Sequence, residues 1–173
     1  MIYTIKKDNH YASGIDYRIL KLINTKKTRG YNVVFNETAL YAFEGQDKGD
    51  INKLFGFTVG WIPATGIENL AHDNSGRFGW ACIDGKIKIY AYCYDNHVRY
   101  TEELYTVNLN ESYTYILTNT PNYYLFSISN ESGVLKETRV PKRNISGLSF
   151  NLWPYFGGNN PAPQDVHISM IEI

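Results

Sequence analysis

The chain has 173 residues, a usual size for one domain, and its 17 basic and 17 acidic residues leave no formal net charge. That balance argues against a dedicated nucleic-acid binder, whose domain carries a basic excess, and against a binder of anionic membranes. A hydrophobic fraction of 43% excludes wholesale disorder, and 15 tyrosines supply most of the aromatic content, giving flat rings with a polar tip that suit sugars or protein contacts.

The N-terminus, MIYTIKKDNHYASG, has no apolar signal core, and no apolar run reaches the ~18 residues of a membrane helix. The expectation is a protein made in a host cytoplasm and ending on a virion surface or outside the cell. Period-2 alternation dominates from there on. It predicts strands over Gly14–Ile23, Tyr31–Phe43, Lys53–Val59, Arg77–Ile83, Lys86–Tyr94, Val98–Val107, Tyr113–Thr118, Tyr123–Ser129, Val134–Val140, Leu148–Tyr155 and Val166–Glu172. Many short strands separated by turn residues predict an all-β fold, a two-sheet antiparallel β-sandwich of the jelly-roll kind, as one domain over residues 1–173. Residues 1–50 are read as an N-terminal extension for attachment or oligomer contact, with 51–173 as the jelly-roll core.

Asp84-Gly85 between two alternating runs predicts a two-residue type I′ turn. The turn sets Cys82 against Ile87, Trp80 against Ile89 and Phe78 against Ala91, apolar pairs that share the core face. The other face then pairs Ala81 with Lys88, Gly79 with Tyr90 and Arg77 with Tyr92, a flat place beside Gly79. Cys93 falls opposite Gly76, about 20 Å along the strand from Cys82, so the two cysteines are read as separate core thiols and not as a disulfide. After Asn96-His97, a two-residue turn puts Arg99 opposite Tyr94 and Glu102 on the core face, so a bulge is expected there.

The long connection Gly60–Gly76 carries Trp61 and His72 and is read as a ligand-contacting loop. In Leu148–Tyr155, alternation places Leu148, Phe150 and Leu152 inward and Asn151, Trp153 and Tyr155 outward. In Asp165–Ile173 it places Asp165 and His167 outward. The expectation is one concave face of Arg77, Tyr90, Tyr92, Trp153, Tyr155, Asp165 and His167. The turn WPYFGGNNPAPQD packs three prolines and two glycines into 13 residues. Its Asn159 and Asn160, with Asp165, are oxygen ligands of the kind calcium accepts, so a calcium site is weighed there; no other cofactor is expected. Glu102 and Glu103 are adjacent on a strand and face opposite ways, so they do not straddle a glycosidic bond. A His–Tyr pair from His72 or His167 with Tyr92 or Tyr155 is the weaker catalytic option. No GxSxG, phosphate loop or HExxH is present. The sequons at Asn36, Asn110, Asn130 and Asn144 are read as accidental.

KLFGF (Lys53–Phe57), NSGRFGW (Asn74–Trp80), IKIYAYCYDNHVRY (Ile87–Tyr100) and LWPYFGGNNPAPQDVHI (Leu152–Ile168) together resemble concanavalin A-like lectin/glucanase jelly-roll domains of Bacteroidetes proteins and their phages. The resemblance spans residues 50 to 173, and PYFGG…AP is its most specific part. It implies a sandwich with a concave ligand face, as in legume-type lectins, laminin-G-like modules and several lyases and glucanases. The acidic strand of the glucanase type and the Glu and Gln of the alginate-lyase strands have no counterpart. The function expected is therefore non-catalytic glycan binding or adhesion by a phage surface protein, a head fibre or capsid decoration. Its partners would be a glycan or host-surface polysaccharide, capsid or fibre proteins, and further copies of itself, with no nucleic acid and no membrane. A polysaccharide lyase or glycoside hydrolase is the alternative.

Overall fold

The computed structural model describes residues 1–13, 27–43, 45–61 and 67–173. Its strands are β1 (Ile2–Ile5), β2 (Ala12–Ser13), β3 (Thr28–Phe35), β4 (Asn52–Gly60), β5 (Asn74–Ile83), β6 (Lys86–Asp95), β7 (Val98–Val107), β8 (Tyr113–Asn119), β9 (Tyr123–Asn130), β10 (Gly133–Pro141), β11 (Leu148–Leu152) and β12 (Val166–Glu172), with one helix, α1 (Ile67–Asp73). The strands form two antiparallel sheets. One runs β10-β9-β8-β3-β12-β1-β2, the other β11-β4-β5-β6-β7. This is the expected all-β sandwich. The predicted strand Gly14–Ile23 lies outside the described residues.

Rings from the two sheets interdigitate to make the core. Phe78 of β5 meets the edges of Tyr115 on β8 and Phe126 on β9 at 5.2 and 5.0 Å, and Trp80 packs on Phe35 of β3 at 5.3 Å. Edge-to-face pairs of this kind add to the stabilisation that burial alone supplies. Both cysteines are buried free thiols.

The hairpins follow local turn chemistry. Asp84 and Gly85 both have positive φ, as a type I′ turn requires, and β5 pairs with β6 in the expected register from Ile83↔Lys86 to Arg77↔Tyr92. Asn96 and His97 repeat the device, and Tyr94 pairs with Arg99. The bulge falls at Leu104, past Glu102, so it does not turn Glu102 away from the core side. Glu102 instead lies at the open edge of the sandwich. It accepts hydrogen bonds from the Tyr100 and Thr138 hydroxyls and pairs with Lys136 at 3.4 Å.

The predicted strand Tyr31–Phe43 ends at Phe35. Asn36 caps a short 3₁₀ turn over Glu37–Ala39, accepting from the Thr38 N–H, and so stops the extended run. The described part of the first fifty residues is built into the sandwich. β3 sits between β8 and β12, β1 pairs with β12, and Tyr3, Ile5, Tyr31, Val33 and Phe35 belong to the core.

Candidate functional site

A cleft of about 220 Å³ opens on the outer face of the five-stranded sheet. Directly paired residues share a face, so the register shows what lies on it. One row runs Leu152–Gly56–Arg77–Tyr92 across β11, β4, β5 and β6. A neighbouring row runs Tyr155–Lys53–Gly79–Tyr90. A bulge at Leu54 keeps Lys53 on the same face as Arg77 while Leu54 and Phe55 stay in the core. Gly56 is needed in the first row: a Cβ there would press on the Arg77 Cα at 2.6 Å.

Two segments make the walls. Helix α1 lies over β4 and β5, tied down by the Thr58 hydroxyl donating to Leu70 O and Asn74 O and by the Ser75 hydroxyl donating to Ala71 O. It brings Ala71 and His72 to the cleft, with the His72 ring 5.3 Å from that of Tyr94. The opposite wall is the PYFGG turn. Tyr155 exchanges two backbone hydrogen bonds with Lys53, stacks on His10 at 5.2 Å and meets the edge of Tyr11 at 5.1 Å. Phe156 anchors the turn in the core. Gly157 has φ +95°, and a side chain there would collide with the Asn160 carbonyl. Its N–H donates to the buried Asn52 Oδ1 at 2.6 Å, and Asn52 Nδ2 donates to the Tyr41 hydroxyl at 2.7 Å.

Lys53 is the chemical centre of the cleft. Its ammonium donates to Gly157 O at 2.7 Å and lies 4.9 Å from the Tyr92 ring centroid and 5.8 Å from that of Tyr155. Burial, with Arg77 adding repulsion, brings its pKa down to about 8. Arg77 donates to the Trp153 carbonyl at 3.2 Å. The Tyr92 phenol is pushed up to about 12, first by burial and then by its hydroxyl contact with Tyr94. Among the described residues, no aspartate or glutamate lines the cleft.

Of the expected site residues, Arg77, Tyr92, Trp153, Tyr155 and His72 line this cleft. The structure places the other expected residues elsewhere. His167 and Asp165 are on the other side of the molecule, because β12 belongs to the seven-stranded sheet. There His167 contacts the Thr4 hydroxyl at 2.9 Å, and Asp165 pairs with Lys6 at 2.7 Å. Tyr90 shares the sheet face but stands outside the cleft, and the flat place beside Gly79 is filled by Ile51. Trp61, 70% exposed, follows β4 without lining the cleft. The connection Gly60–Gly76 is shorter than expected, since α1 fills its second half; residues 62–66 lie outside the described residues.

The facing of β11 is inverted from the prediction. Phe150 pairs with Thr58 and lies under α1 on the outer face, whereas Trp153, past the strand end, turns to the core against Tyr3 and Arg29. Helix α1 gives the outer face an apolar cover of its own, so alternation alone did not tell inside from outside. The calcium candidates do not converge. Asn160 donates to Asp47, the Asn159 N–H approaches Asp50, and Asp165 is held by Lys6 and the Lys7 N–H. Among the described residues no group of three His, Cys, Asp or Glu side chains is arranged to hold a metal.

Lys53, Tyr94 and Tyr11 were not anticipated. Lys53 has a sequence signal, being the sole charge in NKLFGFTVG. Beneath the floor lies Arg29, 3% exposed, which donates to Gly56 O and Leu152 O at 2.9 and 3.0 Å and to the Tyr31 hydroxyl, with the Trp153 ring centroid at 4.7 Å. It joins the backbones of β4 and β11 from within the sandwich.

No protein-family model matches the chain, and no curated protein matches it. Solved structures that resemble it include the carbohydrate binding module CBM66 from Bacillus subtilis, with 7% identity, 83% of this chain and 70% of that one covered, and a TM-score of 0.37. The CBM2 module of the evolved Dit of Lactobacillus casei BL23 phage J-1 is similar with 13% identity, 96% and 66% coverage, and a TM-score of 0.39. A native glycosidic hydrolase is similar with 14% identity, 99% and 75% coverage, and a TM-score of 0.45. It is the strand pairing described above that defines the sandwich.

Proposed function

We propose that this protein is a non-catalytic glycan-binding module whose site is the cleft between α1 and the PYFGG turn. The observation that carries the reading is the joint placement of Tyr92, Tyr94 and Tyr155 with Arg77 and Lys53 on one concave surface. Sugar rings present apolar C–H faces that pack on aromatic rings, and hydroxyls that pair with polar groups held at fixed positions. Hydrolysis by two carboxylates has no support here, since none of the described lining residues is acidic. A tyrosine base is likewise poorly set up: with its phenol raised to about 12, Tyr92 keeps its proton at neutral pH.

A glycan array followed by calorimetry tests the reading. Tyr92→Ala and Tyr155→Ala should each lose at least about tenfold in affinity with the fold intact by circular dichroism. Unchanged binding in both variants rejects this cleft. Release of unsaturated products from a polyuronate would replace the module reading with a lyase.

Display on a phage particle, as a head fibre or capsid decoration, is the cellular setting we propose, and it rests on the sequence resemblance. Copurification with particles tests it, and recovery of the protein with glycan-utilisation enzymes instead would reject it.

A further inference from the structure

Five cations elsewhere on the surface pair with carboxylates. Lys6 pairs with Asp165, Lys48 with Asp84, Lys88 with Glu103, Lys136 with Glu102 and Arg143 with Asp95. Lys53 is treated differently. Its ammonium is drawn into the cleft beside a second cation, Arg77, and is held by a carbonyl and two phenol rings. Asp50 attracts Lys53 from the side, but its carboxylate accepts from the Asn159 N–H and occupies the space a side chain at position 158 would take. Bringing one cation out of water next to another is unfavourable for folding. The rings and the carbonyl offset part of that cost. A bound anion would offset the rest, and in a site partly withdrawn from water its attraction to the two cations is strong.

We infer that the cleft selects an anionic sugar, with a ring carboxylate or a sulfate ester seated on Lys53 and Arg77 and the sugar ring against Tyr92 and Tyr155. The inference rests on the glycan-binding reading and narrows it to a ligand class. Lys53 would be the specificity-determining group, because its ammonium is held between Tyr92 and Tyr155, the rings that would take the sugar. The aromatic rings hold any sugar of suitable shape, and the cations choose among them by charge. A neutral sugar would leave both cations facing an uncharged ligand, giving up the hydration they had in the open cleft for weaker hydrogen bonds.

Calorimetry on the full chain with matched polymers tests this. The probes are polygalacturonate and its carboxyl-reduced counterpart, dextran sulfate and plain dextran, and polyglutamate as an anion that is not a sugar. One charged polymer should bind at least about tenfold more tightly than its neutral counterpart. Polygalacturonate alone would identify a carboxylate ligand, and dextran sulfate alone a sulfate ester. Lys53→Gln should abolish the preference without lowering the melting temperature, and Lys88→Gln, outside the cleft, should leave the preference intact. Equal binding of charged and neutral polymers, or a Lys53→Gln variant that keeps the preference, overturns the inference and leaves the glycan reading standing. Polyglutamate binding as tight as the charged polysaccharides overturns it as general electrostatics. No binding to any polysaccharide removes the inference and the glycan reading together.

Discussion

The Lys53 ammonium lies 4.9 Å from the centroid of the Tyr92 ring, reaching diagonally across β5, where Gly79 faces Lys53 and Arg77 faces Tyr92. A Cβ at position 79 would press on Ile51 at 2.5 Å and touch the Tyr92 Cβ at 3.5 Å. The contact supplies a face of π-electron density to a cation that has given up much of its water. It makes Lys53 the residue where folding and recognition pull in opposite directions.

Lys53→Met should therefore raise the melting temperature by roughly 3 °C at pH 7 while weakening any anionic ligand. The pH dependence follows from the sign of the shift. The folded pKa, about 8, is below the 10.5 of a free lysine, so between these values the unfolded chain holds a proton that the folded chain has released. The cost of the lysine charge is present in full below pH 8 and fades towards 10.5. Arg77, Arg99 and Asp50 face this ammonium, and Tyr92 and Tyr155 flank it. Of these Arg99, raised above its ordinary value by its contact with Tyr92, keeps its charge across the window. Calorimetric melting at pH 7 and pH 10 should show the advantage of Lys53→Met shrinking, and ligand affinity should fall over the same range. An advantage that grows with pH would contradict the assignment.

Arg29 should tolerate no replacement well. Arg29→Met removes the donors to the Gly56 and Leu152 carbonyls and to the Tyr31 hydroxyl, at a cost of about 3 kcal/mol in urea unfolding. Arg29→Lys should recover only part of this, because a single ammonium lacks the planar fork that reaches two strands. Full stability in Arg29→Lys would show that the fork is dispensable.

Gly157→Ala should cost about 2 kcal/mol, because the residue has positive φ and its added methyl would meet the Asn160 carbonyl. The damage should reach the ligand, since this turn carries Tyr155 and supplies the carbonyl that holds Lys53. Asn52→Leu should act in the same direction by leaving the Gly157 N–H without its acceptor. Loss of stability with binding unchanged would show that the turn does not shape the cleft.

A chain lacking residues 1–50 should fail to fold, which gel filtration and circular dichroism would show as aggregation or loss of the β signal. Removing β3 takes a strand from inside a sheet and leaves β8 and β12 with unpaired edges. A soluble, folded 51–173 fragment would mean that the two sheets can close without it.

What the sequence determined by itself was local. Alternation marked most strands, and the Asp84-Gly85 and Asn96-His97 corners set the β5–β6–β7 register residue by residue, because a two-residue turn leaves the pairing little freedom. Tertiary structure decided which strands became neighbours, and through that the composition of the site. His167 alternates with core residues as cleanly as Arg77 does, yet it went to the far sheet. Phe150 is as apolar as Phe78, yet it faces outward because α1 covers it. Trp153, set outward by alternation, turned in towards Arg29, and the unanticipated Lys53 charge came to rest in the cleft. Alternation shows only that two sets of side chains lie on opposite faces. Which face is buried depends on what packs against it, and here the partners come from segments more than a hundred residues away in the chain, such as Gly157 to Lys53.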